Sequence, residues 1–135
     1  MTRYLDLHTY LRIAAEIIGV EAGVLAVCGD LTAADAALNA CAAHYELTDI
    51  HPSFPEKAAV LARRLCTGKP LPSHNLPVAY ETVREFASRN GCTWSDPPGD
   101  RDGYDTAKVF RGVRDGTVSD EQLGVWISER IGEVT

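Results

Sequence analysis

The stretch Leu76-Pro77-Val78-Ala79-Tyr80-Glu81-Thr82-Val83-Arg84-Glu85-Phe86-Ala87-Ser88-Arg89-Asn90-Gly91 decides how the chain folds. Leu76, Ala79, Tyr80, Val83, Phe86 and Ala87 recur at the three- and four-residue intervals of an α-helix, so they gather into one wide apolar stripe. Asn90-Gly91 supplies the left-handed stop that glycine accepts without a Cβ penalty. A stripe that wide must be covered by other elements, and the neighbouring sequence offers helices to do it.

Upstream, Phe54, Ala58, Leu61, Ala62 and Leu65 mark a helix with one buried face, and Pro55 suits its first turn. Between the two lies a loop, Thr67 to His74, punctuated by Pro70 and Pro72. Further back, Leu7, Tyr10, Leu11, Ala14, Ile17 and Ile18 define a helix from about Asp6 to Gly19. An alanine-rich helix follows, with Thr32 as its expected cap, running past Leu38 to His44. Downstream, Cys92-Thr93-Trp94 reads as a short extended piece and Ser95 to Gly103 as a polar turn. A fifth helix from about Tyr104 buries Val109, Phe110 and Val113 and stops at Gly116. The last opens on a capping box, Ser119 with Gln122, and buries Leu123, Trp126, Ile127 and Ile131. The expectation is an all-α single domain over residues 1–135: six mostly antiparallel helices, Val83 and Phe86 at the centre, and at most one short hairpin.

At 135 residues the chain suffices for one hydrophobic core. Its formal net charge of −6 argues against a nucleic-acid partner, because phosphate neutralisation needs a clustered basic face. Arg63, Arg64 and Lys69 are the nearest thing to one. No membrane role is expected: the apolar run from Ile17 to Cys28 carries Glu21 and is too short to span a bilayer. Arg3, Asp6 and Arg12 interrupt the N-terminus before a secretory signal can develop, so a cytoplasmic location with reduced cysteines is expected. Cys41-x-x-His44, with Cys66 and His74, could supply zinc ligands, but a second tight knuckle is missing and core cysteines are expected instead. No metal or other cofactor is called.

The order of these features resembles the death-on-curing (Doc) branch of the Fic family. His51-Pro52-Ser53-Phe54-Pro55-Glu56-Lys57-Ala58-Ala59 resembles the lead into the helix before that family's motif, and Ala79 to Gly91 resembles the helix after it. The Doc form of the motif reads His-Pro-Phe-x-Asp-Gly-Asn-Lys-Arg-Thr-Ala. The corresponding stretch here is Lys69-Pro70-Leu71-Pro72-Ser73-His74-Asn75-Leu76-Pro77-Val78-Ala79. Pro70, Asn75 and Ala79 match and Leu71 keeps the apolar character; the rest has changed. The resemblance implies a six-helix Fic/Doc-like bundle, a toxin component or relic of a toxin–antitoxin system, and a small antitoxin as partner.

It also implies a dismantled active site. Lys69 stands where the family's histidine base stands, and a lysine with a reference pKa of about 10.4 is protonated at neutral pH unless strongly desolvated. Ser73 replaces the family's metal-holding acid and is a poor ligand for a hard divalent cation. Leu76-Pro77 replaces the lysine–arginine pair that engages phosphates, and Pro77 removes one N–H from the first helical turn, the natural anion seat. Transfer of AMP or phosphate is therefore not expected, and a binding module is. The alternative is an enzyme of nucleotidyl- or phosphotransferase type with rebuilt chemistry on the Lys69–Asn75 loop. The candidate catalytic residues are then Lys69 and His74, an imidazole that ordinarily titrates near neutrality. Ser73 and Asn75 are the candidate substrate-binding residues. The plain alternatives are solvated loop side chains at 69 and 74, and a cap or loop stitch at Asn75. Asp100-Arg101-Asp102-Gly103-Tyr104-Asp105 resembles a calcium loop but has Arg111 at the twelfth position, where a glutamate is needed; an acidic turn capping the fifth helix accounts for it. His44, Tyr45 and Glu46 fall where the family places a substrate-aligning flap, and a simple helix terminus accounts for them as well.

Overall fold

Four helices begin at side chains that accept a free backbone N–H of the first turn, the usual remedy for the unpaired donors there. Asp6 accepts from Thr9, Asp30 from Ala33 and Ser53 from Glu56. Ser119 and Gln122 exchange bonds in a full capping box. The computed structural model describes residues 2–45, 48–100 and 103–133. In chain order the elements are α1 (Leu7–Ile18), α2 (Ala22–Cys28), α3 (Leu31–Ala40), β1 (His44–Tyr45), β2 (Thr48–Asp49), α4 (Phe54–Gly68), α5 (Asn75–Arg89), β3 (Cys92–Trp94), α6 (Tyr104–Asp115), α7 (Asp120–Arg130) and β4 (Ile131–Glu133). The described chain is mostly helical, and none of its helices is long and apolar enough to cross a membrane.

The hub is α4, which packs against α3, α5, α6 and α7. Ala58, Ala59, Ala62 and Cys66 are buried and small, so neighbouring helices come close, while Leu61 and Leu65 fill the remaining volume. Val83 and Phe86 of α5 are fully buried, as expected, but they pack on the hub rather than form it. Phe86 stacks against Phe54 at 4.8 Å and Tyr4 at 6.1 Å between ring centroids. Arg63 ties α4 to the α6–α7 turn through the Asp120 carboxylate and the backbone oxygens of Val113 and Val118. Lys57 is buried on the same helix. Its ammonium donates to Asp49 at 2.9 Å and to the His51 carbonyl at 2.6 Å, which fastens the β1–β2 hairpin to the start of α4.

Several boundaries differ from the sequence reading. Seven helices are present among the described residues, because Ala22–Cys28 forms α2 after Gly19 closes α1 in a left-handed conformation. Seven residues with only Leu25 buried are too few to show a period. Asp30, not Thr32, caps α3, and that helix ends at Ala40, short of His44, where the chain turns into β1. Two antiparallel ladders replace the single hairpin allowed for. One pairs His44 with Asp49; the other pairs Trp94 with Ile131, taking Ile131 out of the last helix.

Trp94 and Trp126 are half-buried members of a closed ring of edge-on contacts. Tyr80, Trp94, Trp126 and Phe110 meet in turn at centroid distances of 5.8, 6.0, 6.0 and 5.5 Å. The Arg130 guanidinium lies over Trp126 at 5.5 Å, and its buried Nε has no acceptor among the described residues.

Two outcomes are expected. Phe86→Ala should lower unfolding free energy by about 3–5 kcal/mol, read from urea denaturation, because the site is fully buried and ringed by helices. The second concerns alkaline pH. Burial pushes the Cys66 thiol up to about 12 from an ordinary 9.0 and also raises Tyr10. The folded state thus keeps protons that the unfolded chain releases. Stability from Cys66 is complete below pH 9 and drains away as pH climbs toward 12. Denaturation midpoints measured across that range should fall, and less steeply in Cys66→Ala.

Candidate functional site

Two residues with positive φ bracket the α4–α5 loop: Lys69 at 47° and His74 at 61°. Neither is glycine, so the tight connection is held by other contacts. Asn75 provides the main one. Its Oδ1 accepts from the Leu71 N–H and its Nδ2 donates to the Leu71 carbonyl, both at 3.0 Å, in the manner of a backbone bridge. Leu71 and Pro70 are buried beneath it. The Pro70 carbonyl accepts from the Asp30 N–H at 2.7 Å, which anchors the loop to the α2–α3 turn. Gly29 is required at that turn, since a Cβ there would meet the Leu25 and Pro70 carbonyl oxygens at 2.8 and 2.9 Å.

The four candidate residues therefore share one loop but divide by role. Asn75 is the stitch. Lys69, Ser73 and His74 are exposed. Ser73 Oγ lies 2.8 Å from His74 Nδ1, the arrangement closest to a nucleophile and base. Among the described residues, however, no carboxylate or other third group orients the imidazole. His74 is also the N-terminal flank of α5 and offers its first turn no side-chain cap.

Lys69, His74, Asn75, Leu76 and Pro77 line a cavity of about 380 Å³ together with Cys66 and Arg114, which sequence reasoning did not select. Arg114 is engaged by Asp115 through bonds of 2.8 and 3.2 Å. Cys66 is wholly buried with a raised thiol pKa, so it is no nucleophile.

A second cleft, of about 450 Å³, opens between α5 and α6 and meets the first at Leu76 and Pro77. Tyr80, Ala107 and Phe110 contribute its apolar surface, and Arg84, Asp96, Asp100 and Arg111 its charges. Leu76 and Tyr80, expected in the buried stripe, are half-buried because they face this opening.

Asp100 accepts from the Asp105 and Thr106 N–H groups and from the Thr106 hydroxyl, capping α6. These bonds, Thr106 foremost, hold its carboxyl below the usual value. Arg101 and Asp102 of that segment lie outside the described residues. Of the proposed flap, His44 and Tyr45 form β1, and Glu46 lies outside the described residues. Cys41 and Cys66 are core residues, whereas Cys28 is exposed and Cys92 half-buried. No group of three potential metal ligands gathers among the described residues. Compared with known proteins, the chain matches no family model, no curated protein and no solved structure.

With Leu76 and Pro77 at the start of α5, the loop offers nucleotide phosphates neither the paired cations nor a complete set of first-turn donors. ATP–magnesium should bind in the millimolar range or weaker, about 4 kcal/mol or less, by calorimetry. Micromolar binding that disappears in Lys69→Ala would contradict this.

Proposed function

We propose that the chain is a Doc-like toxin component or relic that works as a binding module, with standard AMP or phosphate transfer lost. In this reading α1, α3, α4, α5, α6 and α7 are the six helices of a Fic/Doc-like bundle, and α2 is an addition. The observation that carries it is the disposition of the motif positions. Asn75 is committed to Leu71, while Lys69, Ser73 and His74 stand in solvent beside an apolar cleft. A general base must be held against its substrate hydroxyl, and no hydrogen bond or ion pair among the described residues holds Lys69. A groove between helices needs no catalytic group to receive a polypeptide segment. The partner is a small antitoxin-like protein whose segment occupies the α5–α6 cleft.

One observation favours a second reading: the Ser73–His74 contact would serve an enzyme with rebuilt transferase chemistry. The two readings part on a triple variant, Lys69→Ala, Ser73→Ala and His74→Ala. The module should keep its partner to within about 1 kcal/mol, since solvated loop residues contribute little. The measurement is a pull-down from lysate of the native host, wild type beside the variant. A growth phenotype abolished by the triple substitution, with no partner recovered, would overturn the module and favour the enzyme.

A further inference from the structure

The charges of the α5–α6 cleft are not equivalent. Arg114 of α6 shares a cavity with Leu76 and Pro77, at the start of α5, so the two helices run antiparallel. One end of the cleft therefore holds Leu76, Pro77 and Arg111, and the other holds Arg84, Asp96 and Asp100. At the second end each of these three charges is occupied among the described residues. Arg84 donates to Glu81 at 3.1 Å and stacks on Tyr80 at 5.7 Å. Asp96 accepts from the Tyr80 hydroxyl at 3.4 Å, and Asp100 holds three donors.

At the first end Arg111 is exposed and makes no hydrogen bond or ion pair among the described residues. Its neighbour Asp115 is hydrogen-bonded by Arg114 and feels Arg111 only as a further, unbonded charge. In a chain of net charge −6, a guanidinium without a hydrogen bond beside an apolar floor is a local reversal of sign.

Resting on the module reading above, we infer that the cleft receives a short segment of a separate protein, with apolar side chains along Tyr80, Ala107 and Phe110 and one carboxylate at Arg111. Asp96 at the far end repels a carboxylate there, which fixes the direction in which the segment lies. The apolar floor supplies affinity, and the Arg111 contact supplies register and orientation.

A random peptide library displayed on phage, selected against the intact folded protein, tests this. The enriched peptides are then synthesised with a fluorophore and titrated by polarisation. The expected consensus places Asp or Glu beside apolar residues. Arg111→Glu should weaken binding about tenfold, and exchanging the peptide's acid for lysine should restore affinity for that variant alone. Ala107→Trp, which fills the cleft, should abolish binding, and Lys108→Glu, on the same helix outside the cleft lining, should leave it unchanged. Because Arg111 is exposed, the charge exchange reads out even if Ala107→Trp fails to fold.

A consensus without an acid, an Arg111→Glu variant that binds as wild type, or no enriched binder would each overturn the inference. Self-association by sedimentation that Ala107→Trp removes would do so too, making a second copy the occupant. A host partner that Ala107→Trp displaces and Arg111→Glu does not would sink the charge assignment while leaving the module reading standing. Loss of the host partner in the triple loop variant would instead sink the module reading.

Discussion

Ala58, Ala59, Ala62 and Cys66 give α4 almost no side-chain bulk where its neighbours approach, and that lets four helices share one axis of contact. Dispersion attraction falls off steeply with distance, so close backbones recover packing energy that large side chains would otherwise have to supply. The arrangement has a consequence for polar groups on the same helix. Lys57 is buried and Arg63 half-buried, and both find partners in adjoining turns. Both do so by bonding backbone carbonyls as well as carboxylates. The β1–β2 hairpin and the α6–α7 turn are thereby fixed relative to the hub.

The α4–α5 loop keeps its shape without help from its exposed polar side chains. A loop is positioned by its backbone bonds, and here Asn75, Leu71, Pro70 and Asp30 supply them. None of these bonds involves the side chain of Lys69, Ser73 or His74, so the connection does not depend on the chemistry those side chains carry. The cleft beside it depends on different atoms again, chiefly Tyr80 and Phe110, which belong to the aromatic ring of four.

Periodic apolar spacing made α1, α4, α5, α6 and α7 readable, because each carries at least three buried residues at helical intervals. It failed for α2, whose single buried leucine has no period. Asp30 and Thr32 are both capping residues two positions apart, and only tertiary placement chooses between them. β3 could be suspected from its own residues, but its partner β4 follows α7 with three residues and shows no alternation of its own. The loop was legible from its prolines, and Asn75 as a stitch was one of two structural roles the sequence allowed. The α5–α6 cleft was not legible. It arises where two separate helices diverge, and Arg111 alone reads only as one polar residue on an exposed face.

Trp94 and Trp126, the two tryptophans of the chain, meet at 6.0 Å with their ring planes 62° apart. Indoles that close and that steeply inclined share their excited states, and their strong transitions split into a paired circular-dichroism band in the far ultraviolet. One indole belongs to β3 and the other to α7, so the band reports the seating of the last helix against the strand that follows α5. The protein thus carries its own optical gauge of whether α7 is seated on β3, beside the wall of the α5–α6 cleft.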